Sequence, residues 1–342
     1  DVYKRQITDR LILIFFCGYF LYSIANNAII TIDFFILSQT VAYLITVFIG
    51  FSFLIKHTQL PSLKWDQLFF KMIVKKSMPY ALLIFLMSVY YYSDVVMVER
   101  IRGNIEVANY AHGYRFFMAF NMLGYLFAGL LLPIYSKLIK EKQSVLPVSW
   151  LSFKLIYFFA LIICVTVWTY KMEILNWRYE INGSSLLHSS ETFGWLMISF
   201  IAVSCNYIFG TLLTAKGSMK QLNILAVFGI LINILLNLLL IPDKGSSGAA
   251  FASAFTQFFI LVFQIALCYK IFNFKYHLLS IIRIFSFTIL FITMVYTVEN
   301  NLSINWLEKI ILNVIGGGII GLFLKVINWN QFYSLLKHDK SS

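Results

Sequence analysis

The chain has 342 residues, of which 60% are hydrophobic and only 12% are charged, and its formal net charge is +12. Soluble domains are typically about 45–50% apolar and about 25% charged. This composition, together with a mean hydropathy of +0.80, excludes a soluble globular domain. The aromatic content of 18% suits lipid-facing surfaces and interfacial belts. We therefore expect an integral membrane protein.

Ten apolar stretches are long enough to cross a bilayer, which takes about 20 residues in a helix. They are residues 11–30, 34–55, 78–98, 111–134, 149–170, 193–214, 221–241, 246–270, 278–298 and 306–327. The short alternating strands of membrane barrels do not occur in the sequence. The predicted fold class is therefore all-α, a polytopic α-helical membrane protein.

Basic and acidic residues alternate between the connections that join these spans. Lysine and arginine concentrate in every second connection, beginning before the first span, and acidic residues concentrate in the others. Because basic loops stay on the cytoplasmic side, residue 10 and the tail 328–342 are predicted to lie in the cytoplasm. The positive charge is then an orientation signal with some affinity for anionic lipid, and nucleic acid is not an expected partner.

One cytoplasmic connection has a pattern of its own. In SLKWDQLFFKMIVKKSMP, apolar residues recur at helical spacing opposite three lysines and an aspartate. The pattern predicts an amphipathic helix in the inner membrane interface, within residues 56–77 and ending before Pro79. The alternative is an ordinary basic loop with chance periodicity.

The sequence contains no Walker-type glycine loop, no HExxH and no GxSxG motif. The cysteines at positions 17, 164, 205 and 268 fall inside apolar runs and form no CxxC pair, so we expect them to be buried and inert. No metal, cofactor or catalytic residue is expected. The runs GSSGAAFASA (245–254) and VIGGGII (314–320) predict close approach of helices, and the second could instead kink its helix.

Ionisable groups inside spans are costly unless paired or hydrated, which makes them the candidate functional residues. Asp94 and Arg115 fall in the outer part of two adjacent spans. One interpretation places them in a hydrated cavity, with Arg115 as an anion ligand and Asp94 as its partner or as a cation or proton site. The other is a structural ion pair that fixes the two helices.

Asn233 and Asn237 are four residues apart on one face of an apolar helix. Hydrogen bonding between helices explains such a pair, and lining a polar cavity is the alternative.

Three stretches carry a family resemblance. They are SMPYALLIFLMSVYYYSDVVMVERIRGNIEVANYAHGYRF, LLLPIYSKL and GTLLTAKGSMKQLNILAVFGILINILLNLLLIPDKGSSGAAFASAFTQ. In their order and spacing they resemble the polysaccharide-export branch of the multidrug/oligosaccharidyl-lipid/polysaccharide exporter superfamily. Each motif is degenerate alone, and the combination is much more specific.

The resemblance implies two pseudo-symmetric six-helix lobes around a cavity that opens alternately to each face. Ten of an expected fourteen helices would be present. The implied parts are 7–55, the last two helices of the first lobe; 56–77, a cytoplasmic linker helix; 78–272, the second lobe; 273–327, two extra helices; and 328–342, a cytoplasmic tail.

The first six residues, DVYKRQ, can be reverse-translated as GAT GTG TAT AAG AGA CAG, which we identify as the mosaic-end sequence of transposase library adapters. We therefore expect residues 1–6 to be an adapter scar fused to a truncated reading frame and leave them out of the fold reasoning. A natural polar lead-in is the alternative.

The function implied is a bacterial inner-membrane flippase for polyprenyl-pyrophosphate-linked oligosaccharide of the O-antigen type. Arg115 aligns with a cavity arginine of the related peptidoglycan-precursor flippases, and a guanidinium can bind two phosphate oxygens at once. Asp94, Asn233 and Asn237 complete the candidate substrate-binding set. Expected partners are the lipid-linked oligosaccharide, the bilayer and polysaccharide assembly proteins, and we expect a monomer.

Two other functions stay open. A drug/cation antiporter of the same superfamily would need cation sites in the first lobe. A membrane glycosyltransferase, polymerase or ligase would need a catalytic cluster on an outer loop. The longest outer connection, KMEILNWRYEINGSSLLHSSET, offers Glu173, Arg178, Glu180 and His188 without recognisable spacing.

Overall fold

The computed structural model describes residues 11, 14–15, 32–57, 65–274 and 278–326. The hexapeptide 1–6, nearly all of the predicted span 11–30 and the tail 328–342 lie outside the described residues. Every regular element in the described part is an α-helix, which confirms the predicted all-α class.

Nine helices follow one another in the described part. They are α1 (Ile32–His57), α2 (Gln67–Arg102), α3 (Asn104–Lys140), α4 (Leu146–Thr169), α5 (Lys171–Tyr179), α6 (Gly183–Ala215), α7 (Met219–Phe272), α8 (Leu278–Asn301) and α9 (Trp306–Phe323). Seven of these, all except α1 and α5, are long and apolar enough to cross a membrane. The described part of α1 contains a shorter apolar segment, Ile36–Ser52. The protein is therefore a multi-pass membrane protein, and the expected total of fourteen helices stays a prediction.

Helix α7 contains two of the predicted spans. A straight helix of 54 residues would be about 80 Å long, far more than a bilayer needs. Gly245 interrupts it with φ 57° and ψ −135°. Gly248 lies against the Leu240 carbonyl, and Gly229 lies against Ile260, so residues on opposite sides of Gly245 touch. The two halves of α7 therefore fold back on each other as an antiparallel pair.

Helix α2 corrects one prediction. The amphipathic segment and the next predicted span form a single helix that continues through Pro79, so the predicted end before that residue is wrong. A proline removes one helical hydrogen bond, but in a membrane a break in the helix would leave more backbone groups unsatisfied. The amide of Asn223 adds a tertiary contact, because its Nδ2 donates to the Pro79 carbonyl at 3.0 Å.

The chain divides into two compact units, with the boundary inside α2 between Met72 and Ile73. In the first unit, α1 buries Ala42 and exposes Leu44 and Phe48. That these units correspond to the two lobes of an exporter stays a prediction.

The second unit is built around α6, the most deeply buried of its membrane helices. This helix packs against α3, α4 and both halves of α7, and Phe193 and Met197 on it are fully buried. Cys164, Cys205 and Cys268 are buried, as predicted, whereas Cys17 lies outside the described residues.

The last two helices, α8 and α9, pack on α4. The rings of Phe158 and Phe287 lie 5.0 Å apart, and Gly321 of α9 meets the Phe158 ring directly. Gly317 contacts Phe291 and Ile162 in the same way. Gly317 of VIGGGII therefore permits close helix packing, as predicted, and α9 is a continuous helix across the three glycines of that run.

Candidate functional site

A buried carboxylate forms the centre of the polar site in the second unit. Asp94 on α2 is only 2% exposed. Asn237 donates from Nδ2 to its Oδ1 at 2.7 Å, and Tyr110 donates from Oη to its Oδ2 at 3.2 Å. The Ser253 hydroxyl makes a short hydrogen bond to the same Oδ2. Side chains from α2, α3 and both halves of α7 therefore meet at one carboxylate.

The chain turn at Gly245 brings this site together. Asn237 and Ser253 are each eight residues from Gly245, on opposite sides of it, so folding α7 back places them at the same depth. If α7 were straight, Asn237 and Ser253 could not both contact Asp94. The predicted hydrogen bonding of the asparagine between helices is confirmed.

Further hydrogen bonds hold the residues that contact Asp94. Asn237 Nδ2 also reaches Asn233 Oδ1 at 3.2 Å, and the Ser93 hydroxyl donates to the same oxygen at 3.3 Å. Tyr90 donates to both the hydroxyl and the carbonyl of Ser253 at 3.3 Å. These bonds join α2 to both halves of α7.

No Lys, Arg or His of the described residues forms an ion pair with Asp94. An ionised carboxylate buried without a cation is costly, so either a proton or a bound cation must neutralise it. The oxygens of Asp94, Ser253 and Tyr110 are hard ligands of the kind that small cations prefer. Asn237 Oδ1 has no hydrogen-bond partner in the described chain and adds a free acceptor. The arrangement fits a proton or a monovalent cation.

A small cavity adjoins the cluster. Its volume of about 10 Å³ is room for one water molecule or a small ion. It is lined by Tyr90, Tyr91, Asp94, Tyr110, Tyr114, Phe117, Leu196, Ser199, Ser253 and Gln257. This volume is far smaller than a sugar ring.

Arg115 lies apart from this cluster. It follows Tyr110 by five residues, which places it about 140° further round α3, and it is exposed on the surface of its unit. The ion pair with Asp94 considered from the sequence is wrong, because donors from α3 and α7 already occupy that carboxylate. The assignment of Arg115 to substrate binding stays a prediction, as it does for Asp94, Asn233 and Asn237.

The sequence did not single out Tyr110, Ser253 or Tyr90 as site residues. Ser253 falls in the GSSGAAFASA run. The small residues of that run predict close helix packing, and the sequence does not indicate that the Ser253 hydroxyl binds a carboxylate. The two tyrosines are among 20 in the chain. The sequence signal that could have identified these three residues is a hydroxyl group within an apolar span.

Two side chains near the chain reversal at Gly245 also stabilise the turn of α7. Glu106 of α3 accepts a hydrogen bond from the Ser246 backbone N–H at 2.7 Å, at the start of the second half of α7. Arg102 donates to the Pro242 carbonyl at 3.1 Å. A carboxylate at a helix N-terminus is favourable, so Glu106 stabilises the hairpin.

The four residues singled out in the longest predicted outer connection lie on α5, directly after it and on α6. No hydrogen bond or ion pair among the described side chains joins Glu173, Arg178, Glu180 and His188 to one another. The guanidinium of Arg178 lies 5.3 Å from the centre of the neighbouring Tyr179 ring.

No family model and no curated protein matches the chain. Among solved structures, the chain is similar to one described as "Lipid II flippase MurJ, inward closed conformation", with a TM-score of 0.69 and 16% sequence identity. The match covers 92% of this chain and 66% of that one, so the chain spans just under two thirds of the length of that flippase. At this identity the similarity shows the fold alone, so this chain shares the helical fold of that structure.

Proposed function

We propose that this chain is part of a flippase that moves polyprenyl-pyrophosphate-linked oligosaccharide outward across the bacterial inner membrane, for surface polysaccharide assembly. The observation that carries the proposal is the structural similarity, over 92% of the chain, to a protein described as a lipid II flippase. The mechanism is alternating access, with the sugar and pyrophosphate crossing between helices while the lipid tail stays in the bilayer.

Arg115 is the anion ligand in this proposal. Its guanidinium is permanently charged, lies in an otherwise apolar part of α3 and is exposed on its unit. An arginine in that setting is costly unless it meets an anion or water. Each tetrahedral phosphorus of the pyrophosphate carries two nonbridging oxygens, and the two N–H groups of the guanidinium fork can bind such a pair.

The Asp94 cluster supplies the coupling. When Asp94 is ionised, the side chains of α2, α3 and α7 must hold an unpaired charge, and when a proton or a monovalent cation is bound, that charge is neutralised. The two states therefore favour different packing of these helices. A ligand that binds one packing better than the other shifts the equilibrium between them.

Complementation tests the proposal. The full-length gene that contains this coding sequence is expressed in a strain that lacks its own O-antigen flippase, and surface polysaccharide is measured. We expect Arg115→Ala to abolish export and Arg115→Lys to retain part of it. Arg178→Ala, an exposed arginine of α5, is the matched control and should export normally. Full export by Arg115→Ala would refute the anion-ligand role, and no export by the unaltered gene would refute the cargo.

A further inference from the structure

Tyrosines from three helices lie in and next to the lining of the Asp94 cavity. Tyr91 of α2 and Tyr114 of α3 line the cavity itself. Tyr125 of α3 and Tyr207 of α6 lie beyond them, with ring centres 6.4 Å apart in an edge-to-face arrangement. We name these four residues, together with Asn121 of α3, the tyrosine collar.

Gly124 allows the collar to form. A Cβ at this position would lie 2.7 Å from the Tyr207 ring, so the ring rests on the bare backbone of α3. This close approach holds Tyr207 between Tyr125 and the Asn121 amide, which interacts with the Tyr207 hydroxyl. The position of the ring is therefore set by packing and does not need a ligand.

The collar changes from buried to exposed along its length. Tyr91, Tyr114 and Tyr207 are half-buried, whereas Tyr125 is 67% exposed. Rings with one covered face and one open edge offer a ligand a rigid surface at low entropic cost, since each tyrosine has two rotatable side-chain bonds.

Asn121 shows that the collar lacks a polar partner. Its side chain is 8% exposed, and its Oδ1 has no hydrogen-bond partner in the described chain. A buried acceptor without a donor is costly, so a ligand that brings a hydroxyl or amide N–H to this point gains from the pairing.

We propose that the tyrosine collar binds a pyranose ring of the cargo, the sugar attached directly to the pyrophosphate. This inference rests on the proposed function and adds the part of the protein that contacts the sugar. A pyranose has a face of C–H bonds and a rim of hydroxyls. The C–H face suits the negative face of an aromatic ring, and the hydroxyls suit the phenol groups and Asn121 Oδ1.

Other parts of the cargo fit the collar less well. The negative face of an aromatic ring repels the pyrophosphate. A lipid tail would leave the Asn121 acceptor unpaired. Arg115 follows Tyr114 on α3 but lies about 100° further round the helix, so the two side chains are on different faces and the collar itself contains no basic residue to bind the pyrophosphate.

Binding to the protein in lipid nanodiscs tests this inference with two probes. One is undecaprenyl pyrophosphate, and the other is the same lipid bearing a single N-acetylglucosamine. We expect the glycosylated probe to bind more tightly. Tyr125→Ala and Tyr207→Phe should each reduce that preference about two- to tenfold, without weakening binding of the sugarless probe. Tyr296→Ala, at an exposed tyrosine of α8, is the control and should keep the full preference.

The outcomes separate the two proposals. If the unaltered protein binds both probes equally, or if the collar variants keep the full preference, the sugar site is wrong and the flippase proposal stands. If neither probe binds, the proposed cargo is wrong and the sugar site falls with it. Tyr207→Phe retains the ring that packs on Gly124, and thermal unfolding of the same preparation checks that loss of its hydroxyl contact with Asn121 leaves the protein folded.

Discussion

Asn237 Nδ2 lies 2.7 Å from Asp94 Oδ1 and forms a hydrogen bond that links the first half of α7 to α2. A bond to an ionised group is worth about 1.5–3 kcal/mol, and a bond between neutral groups about 1 kcal/mol. Asn233, one helical turn away, accepts hydrogen bonds from Ser93 and Asn237, and it also contributes more weakly to the hydrogen bonding of Asp94. Both asparagines are fully buried, so the pair compares a stronger and a weaker contact with the same carboxylate at equal burial.

We predict that Asn237→Ala destabilises the protein more than Asn233→Ala does. The first change removes the donor that lies 2.7 Å from the carboxylate, and the second removes two neutral bonds and a weaker contact with Asp94. Thermal unfolding of the purified protein in detergent measures the difference, which should be about 1–2 kcal/mol. Equal losses of stability, or a larger loss for Asn233→Ala, would contradict a charged hydrogen bond at Asp94.

Asp94→Asn should abolish transport and leave the protein folded. The amide has nearly the same shape as the carboxylate, but it can neither bind a proton at neutral pH nor neutralise a cation. Transport of lipid-linked oligosaccharide in reconstituted vesicles, measured with and without a pH or Na⁺ gradient, is the readout. Thermal unfolding of the same preparation is the control for folding. A variant that still responds to the gradient would show that Asp94 is not the coupling site.

Gly245→Ala should disrupt the α7 hairpin. The residue has a φ of +57°, which an L side chain adopts at a cost of about 1 kcal/mol. An added Cβ would also collide with the Glu106 carboxylate. Gly217 has a φ of +80° but no described atom within 4 Å of its added Cβ, so Gly217→Ala isolates the backbone cost. We expect a clearly lower unfolding temperature for Gly245→Ala than for Gly217→Ala, and similar temperatures would mean that Glu106 does not hold the turn.

The glycines of α9 provide a matched pair for helix packing. An added Cβ at Gly321 would clash with the Phe158 ring, whereas the one at Gly318 meets no described atom within 4 Å. Gly318→Ala should be neutral or stabilising by up to about 1 kcal/mol, because alanine is the better helix former. Gly321→Ala should loosen α9 from α4, which cysteine cross-linking between the two helices would detect. A stabilising effect at Gly321 would show that the helices do not pack this closely.

The sequence predicted the membrane class and most of the spans correctly, because both depend on local hydropathy over about 20 residues. It also identified Asp94, Asn233 and Asn237, since polar groups in apolar spans are costly wherever the helix packs. The continuous passage of α2 through Pro79 was missed. Helix propensity predicts that a helix ends at a proline. In a membrane, a break in the helix would leave more backbone groups without hydrogen bonds than the proline itself does.

The sequence by itself therefore determined that this protein crosses the membrane several times as helices and which buried polar residues need partners. Only the tertiary structure decided which partners they have. Tyr110 and Ser253 join Asp94, and Arg115 does not. The reason is that those contacts depend on the chain reversal at Gly245 and on the rotation of α3 about its axis, which bring together residues far apart in sequence. Hydropathy and spacing along one helix contain no information about either.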